Sequence, residues 1–342
     1  MTEWFGAAEG KILGGFRWPM LTGAIALIVS LVLTPLVYKL AFKYGAVDDP
    51  KRDDRRVHKE PLPRWGGMAI YGGFAAALLI VLPLAYKFVP FSLYITGLLV
   101  IGGLVVVVGA LDDLHQFNAK VQALFLLAAG VAIQFVFSGD ARVQIHGINW
   151  PLFSEQSTWI PFGAWAIPIT AIYIFVISKT MDTIDGIDGL AAGIAAIAGA
   201  TLTMIATFGG QPRVALIAAA MAGAALGFLR YNYNPSKIIM GTGGAQLLGF
   251  VLASISIVGA FKTAAAVSIV VPLLVFGIPL IDAVQVVIRR RMSGVPITQA
   301  DKRHIHHQLL NRGLSQRQAV WVLYSAAILL SGLLVVVVKL YG

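Results

Sequence analysis

The chain has 342 residues, of which 58% are hydrophobic and only 12% charged, with a formal charge of +10 and a mean hydropathy of +0.81. Soluble domains carry roughly 25% charge, so an ordinary soluble domain is excluded and lipid must cover part of this apolar surface. The absence of cysteine excludes disulfides, thiolate nucleophiles and cysteine-based zinc sites.

Apolar stretches of about 20 residues, the length that crosses about 30 Å of hydrocarbon, recur along the chain. They fall at 19–40, 66–86, 91–111, 119–138, 161–181, 189–207, 213–230, 243–261, 265–288 and 318–339. They are rich in Ala, Gly, Leu, Val and Ile and lack the alternation of an outer-membrane barrel, which predicts helices. The expected fold class is therefore all-α: a polytopic integral membrane protein of about ten transmembrane helices, forming one domain over 1–342. Gly72-Gly73 and Gly102-Gly103 suit close helix packing in lipid. Residues 139–160 read as a short external loop. The first span is too long for a signal peptide and lacks a clear cleavage site.

Lys and Arg are distributed unevenly over alternate gaps. One side holds 19, in Lys39–Arg64, at Lys120, Lys179, Arg230 and Lys237, and in Arg289–Arg317; the other holds the remaining 7. The positive-inside rule places the first group in the cytoplasm and both termini outside it. Cytoplasmic loops are then expected near 44–65, 112–120, 180–189, 231–242 and 289–317. Because the basic loops flank spans, they suit orientation and lipid headgroups better than nucleic acid.

Three polar clusters fall in gaps on the cytoplasmic side. Asp112 and Asp113 are adjacent, about 100° apart on a helix, so one can enter a site while the other turns to a helix end or a cation. Asp185 and Asp188 are three apart, which on a helix gives one face, and Asp182 lies three residues upstream. Gly186 and Gly189 allow a tight turn and close ligand approach. Three carboxylates at this spacing suit Mg²⁺, with Mn²⁺ as the alternative. In the third cluster, His304 and His307 should share a helical face while His306 points elsewhere. With Arg289, Arg290, Arg291 and Arg303 nearby, these imidazoles suit an anionic substrate. Asp282 reads either as a structural acid inside a span or as part of the site. No Walker-type glycine loop is present.

The order of these motifs resembles the polyprenyl-phosphate N-acetylhexosamine-1-phosphate transferases. Leu111-Asp112-Asp113 with Lys120, Asp185-Gly186-Ile187-Asp188-Gly189-Leu190 and His304-Ile305-His306-His307 carry the resemblance. The segment Asp48–Gly67 with His58, and Pro279-Leu280-Ile281-Asp282, support it. It implies a multi-pass protein of the bacterial cytoplasmic membrane with a Mg²⁺-dependent site on the cytoplasmic face. It further implies transfer of a sugar-1-phosphate from a UDP-N-acetylhexosamine, UDP-GlcNAc first among them, to undecaprenyl phosphate with release of UMP. Asp112, Asp113, Asp185 and Asp188 are the expected catalytic acids, and Asp182, Asp185 and Asp188 the expected metal ligands. His58, Lys120, Asn232, Arg289, Arg290, Arg291, Arg303, His304, His306 and His307 are the expected substrate contacts. Membrane lipid is the expected surrounding, and a homodimer is compatible with the pattern.

Two departures matter. The family usually has Asn at the positions of Lys179 and Asp182, and Met-Gly-Asp where this chain reads Met240-Gly241-Thr242. The acid missing at Thr242 is a metal ligand in the family. One reading is that Asp182 replaces it. The other is a catalytically silent homologue that binds lipid or nucleotide. A transporter is the third reading, and it would place charges and interrupted helices near the membrane midplane, whereas these acids lie near span ends.

Overall fold

The computed structural model describes residues 9–48, 61–86, 92–137, 142–150, 158–260, 276–292 and 304–341. Helix α1 (Glu9–Tyr44) leads into two short antiparallel strands, β1 (Val47–Asp48) and β2 (Leu62–Pro63), in the register Val47 to Pro63. Helices α2 (Gly66–Ala85), α3 (Leu93–His115) and α4 (Ala119–Ala132) follow, α4 closing with a 3-10 turn at Ile133–Phe135. A hairpin of β3 (Gly147–Trp150) and β4 (Thr158–Pro161) precedes α5 (Ala166–Ile184), α6 (Leu190–Phe208), α7 (Pro212–Asn232) and α8 (Gly241–Ala260). The chain continues in α9 (Gly277–Met292), α10 (Ile305–Asn311) and α11 (Gln316–Tyr341).

Among the described residues, eight helices are long and apolar enough to cross a membrane. They correspond to eight of the ten expected spans. The span expected at 119–138 is a shorter apolar helix, Ala119–Phe135, and most of the first two-thirds of the span expected at 265–288 lies outside the described residues. The all-α membrane architecture is as read from composition.

One stripe shows why lipid is required. On α3, Val100, Leu104, Val107 and Leu111 are 58%, 52%, 54% and 42% exposed. Their spacing of three to four residues makes one continuous helical face, which water would penalise and hydrocarbon accepts. The opposite face of α3, with Leu98, Gly102, Val105, Val106 and Gly109, is buried, and it packs on α8. α8 is the most deeply buried of the spans. α5 covers α8 as well, while α7 packs against α1 and α6.

Small residues let these backbones touch. A β-carbon on Gly67 would overlap Gly244 Cα, and one on Gly109 would overlap Gly243 Cα. Backbone bonds bind the start of α2 to the segment before α8: Gly66 N–H donates to Ile239 O at 3.1 Å and Gly67 N–H to Met240 O at 2.8 Å. Gly67→Val and Gly109→Val should each strain this junction by about 1–3 kcal/mol or more, seen as a lower melting temperature and lower monodisperse yield in detergent. Gly332→Val, with nothing within 4 Å of its β-carbon, is the control, and equal behaviour of all three variants would refute the packing argument.

Candidate active site

Contacts between segments far apart in sequence place all three polar clusters at one end of the bundle. α3 ends at Asp112 and Asp113, where Gln116 takes φ 54° and turns the chain into α4. Asp112 is 6% exposed. Its Oδ1 accepts the Phe117 N–H at 2.8 Å, and Gln122 Nε2 donates to both its oxygens at 3.0 and 3.1 Å. Asp112 thus closes the α3–α4 turn.

Asp113, about 100° round the helix, faces α8. Its carboxylate meets Arg64 Nε at 3.1 Å in an ion pair, and its side chain is only 2% exposed. Thr242 donates its backbone N–H to the same carboxylate at 3.2 Å. Gly241 makes this approach feasible. It has φ +77°, and a β-carbon there would overlap both Arg64 O and Asp113 Oδ2. Arg64 was not singled out by any motif, yet it is central. Its Nη1 also meets Asp48 Oδ1 at 3.1 Å. Burial opposes its charge, but Asp113, Asp48, Asp182 and Asp185 outweigh that and raise the guanidinium above its ordinary value.

The second cluster lies on a turn between helices. α5 stops at Ile184, Asp185 caps it, and Gly189 with φ +84° starts α6. The expected single helical face for Asp185 and Asp188 is therefore corrected: α5 ends at Ile184, before both acids, and α6 begins only after Gly189. Asp188 Oδ2 accepts from Asn234 Nδ2 at 2.9 Å and from Ser236 N–H at 3.1 Å. Asp182 Oδ2 lies 2.6 Å from Lys179 Nζ. Asp185 faces the other acids. Burial, then Asp182, then Asp113 and Asp188 push its carboxyl well above the usual carboxylate range, with Arg64 counteracting.

The three acids of the expected metal triad have different partners. Asp182 and Asp188 each hold a protein partner, and among the described residues no three acids or imidazoles converge into a ready cage. The donor set still fits a hard cation. All donors are oxygen, Asp185 suffers repulsion from three neighbours, and Mg²⁺ commonly takes only one or two carboxylates and fills its shell with water and phosphate oxygens.

Asn232 is a structural staple in the structure, not an open contact. It is 2% exposed, its Oδ1 accepts from Gly189 N–H at 3.1 Å and its Nδ2 donates to Ile238 O at 3.0 Å. Tyr324 Oη adds a bond to Gly189 O at 2.6 Å. These fix the turn that carries Asp185 and Asp188.

The histidine segment meets this turn. His304 adopts an extended backbone at the N-cap of α10, so it does not follow the helical phase expected for it with His307. Its ring stacks on His306 with centroids 5.7 Å apart, and His306 meets His307 at 4.4 Å. Asp282 explains the start of α10: its Oδ2 takes His304 Nδ1 at 2.7 Å and its Oδ1 takes Ile305 N–H at 2.6 Å. Asp282 therefore belongs with the histidines. A β-carbon on Gly186 would lie 2.5 Å from His306 Nε2, so the second and third clusters touch there. On α9, Asp282, Val286 and Arg290 share the buried face, while Arg289 is half-buried and Arg291 exposed. The three arginines thus point different ways. Lys120 is exposed near the start of α4. His58 and Arg303 lie outside the described residues.

Burial, then His307, with His304 adding and Asp282 opposing, push the His306 imidazole down to about 3. An unfolded imidazole titrates near 6.5, so folding stability is complete above that value and is lost as pH falls from it towards the folded value. Melting in detergent should therefore decline as pH is lowered from about 7.5 to about 5, and decline less in His306→Gln. Parallel declines in the two proteins would dismiss this account.

Residues 95–260 match the family described as glycosyl transferase family 4. The chain is 35% identical over 300 residues, 88% of its length and 79% of the relative's, to a probable undecaprenyl-phosphate N-acetylglucosaminyl 1-phosphate transferase of Bacillus subtilis. It is 31% identical over 332 residues (89% of this chain, 78% of the relative) to a decaprenyl-phosphate N-acetylglucosaminephosphotransferase of Mycolicibacterium smegmatis. It is 30% identical over 322 residues (92% and 83%) to the undecaprenyl-phosphate alpha-N-acetylglucosaminyl 1-phosphate transferase of Escherichia coli K12. With acids, histidines and a half-buried arginine gathered at one end of a membrane bundle, and with relatives matched over most of its length, this chain belongs to glycosyl transferase family 4, among the polyprenyl-phosphate N-acetylglucosamine-1-phosphate transferases.

Proposed function

We propose that this protein transfers N-acetylglucosamine-1-phosphate from UDP-GlcNAc to undecaprenyl phosphate, releasing UMP, on the cytoplasmic face of a bacterial inner membrane. The supporting observation is that Arg64 pairs with Asp113 and acts on Asp185, while His306 packs on Gly186 beside Asp185, all at one bundle end. Lys179 stands at the same end.

The lipid phosphate must approach a phosphorus that is already surrounded by negative oxygens. A phosphate monoester is largely ionised at neutral pH, so the main task is alignment and charge neutralisation. Mg²⁺ bound beside Asp185 would supply charge neutralisation and hold phosphate oxygens in line. The protein's own groups do the rest. Arg64 keeps Asp113 in one orientation, and Asp112 and Asn232 fix the turns on which the acids stand. Asp282 occupies Nδ1 of His304, which leaves Nε2 as the ring atom that can meet substrate. Arg289 and Arg291 extend the basic surface beside it.

A second reading, binding without turnover, is favoured by one observation: Thr242 occupies the position where the family usually has an acid. Purified protein incubated with UDP-GlcNAc, undecaprenyl phosphate and Mg²⁺ separates the two by UMP release. In an active protein, Asp113→Asn and Asp185→Asn should each lower kcat about tenfold to a thousandfold, a transition-state loss of roughly 1.4–4 kcal/mol. Wild-type rates in both variants would remove these acids from the mechanism.

Orientation has its own test in a chain that has no native cysteine. His115→Cys and Ile305→Cys should react with a membrane-impermeant maleimide only from the cytoplasmic side. Labelling from the opposite side would invert the proposed topology.

A further inference from the structure

Lys179 and Asp182 stand three residues apart near the end of α5, and the Lys179 ammonium lies 2.6 Å from Asp182 Oδ2. The same nitrogen donates to Gln122 Oε1 at 2.9 Å. Gln122 Nε2 then reaches both oxygens of Asp112. The side chains Asp182, Lys179, Gln122 and Asp112 form one polar strap from α5 across the start of α4 to the end of α3.

Lys179 and Asp182 are also the two neighbouring positions where this chain departs from the asparagines usual in the family. A neutral pair has become an ion pair, which leaves the local charge unchanged. Either substitution alone would not. An acid at 182 with no lysine would add a fourth repelling carboxylate beside Asp113, Asp185 and Asp188, and Asp182 is already the strongest charged neighbour raising Asp185. The Lys179 and Asp182 side chains are 38% and 19% exposed, so the pair is worth little to stability as a surface contact. Its consequence is for where the acids point and what they bind.

We propose that Lys179 is a positioning residue that withholds Asp182 from cation binding and, through Gln122, holds Asp112 on the α3–α4 turn. Asp182 is then no substitute for the acid missing at Thr242. Any resident cation rests on Asp185. The inference rests on the function proposed above only for its kinetic arm.

The test uses the full chain in detergent as wild type, Lys179→Met, Lys179→Arg, Asp182→Asn and Lys179→Met/Asp182→Asn. Mn²⁺ binding is read by electron paramagnetic resonance without substrates, so it is independent of turnover. Lys179→Met should free Asp182 and tighten Mn²⁺ binding by about threefold or more, and the double variant should cancel that gain. Asp182→Asn alone should stay within about twofold of wild type. In the kinetic arm, Lys179→Met should lower kcat by about tenfold with KM for UDP-GlcNAc little changed, and Lys179→Arg should retain most of the rate. Weaker Mn²⁺ binding by about tenfold in Asp182→Asn would make Asp182 a cation ligand and overturn the proposal. Equal Mn²⁺ affinity in all five proteins would overturn it as well. Wild type that binds Mn²⁺ but releases no UMP would sink the proposed function and leave the Mn²⁺ comparison decisive.

Discussion

Carboxylates repel one another, and the construction of this bundle end follows from where a fixed positive charge can stand among them. Arg64 stands there. It pairs with Asp48 and Asp113 and feels Asp182 and Asp185. Its position is set by backbone, not by its own flexible side chain. Arg64 N–H donates to Ala46 O at 2.9 Å, and the next turn is bonded to Ile239 and Met240. The glycines at 67, 109, 241, 243 and 244 bring α2, α3 and α8 into backbone contact around it. A larger residue at any of these contacts would move the arginine and the acid that it holds. Removing one partner of a buried pair leaves an uncompensated charge, so the tight packing and the charge arrangement are one constraint.

Given that cation, the remaining acids divide their work. Asp112 serves the α3–α4 turn, Asp188 the turn at 234–236, Asp182 the lysine beside it, and Asp282 the start of α10. Each fixes a segment that carries a neighbouring functional group. Asp185 is driven upward first by burial and then by repulsion from Asp182, which Arg64 only partly offsets. A group so placed has the most to gain from an incoming cation or proton. The site is preorganised by acids that are already satisfied around one that is not.

The membrane helices were legible in the sequence because apolar length is a local property. So was the breakpoint at Asp185–Gly189, although its geometry was misread. Three-residue spacing implies a shared face only while the helix continues, and α5 ends at Ile184, before either acid. The histidine run was visible as chemistry, but its orientation was not, since Asp282 sets it from 22 residues away. Arg64 and Gln122 left no motif, and Lys179 showed only as a departure from one. Their partners lie 49, 10 and 57 residues distant in Asp113, Asp112 and Gln122, and local periodicity carries no information about such pairings. Asn232, expected as a substrate contact, stands at a span end, where a substrate contact and a backbone staple look alike in sequence.

Thr242 is better understood from its neighbours than as a lost acid. Its N–H serves Asp113, which also receives Arg64. An aspartate at 242 would keep the N–H donor and bring a second carboxylate against Asp113. In this chain that arrangement would depend on a cation to hold the two acids together. With threonine, Asp113 is satisfied by protein donors alone. The same logic operates on α5, where Lys179 satisfies Asp182. At both places where the sequence departs from its family, a protein group satisfies the neighbouring acid. At these two positions the fold itself supplies the charge compensation, through Arg64 and Thr242 for Asp113 and through Lys179 for Asp182.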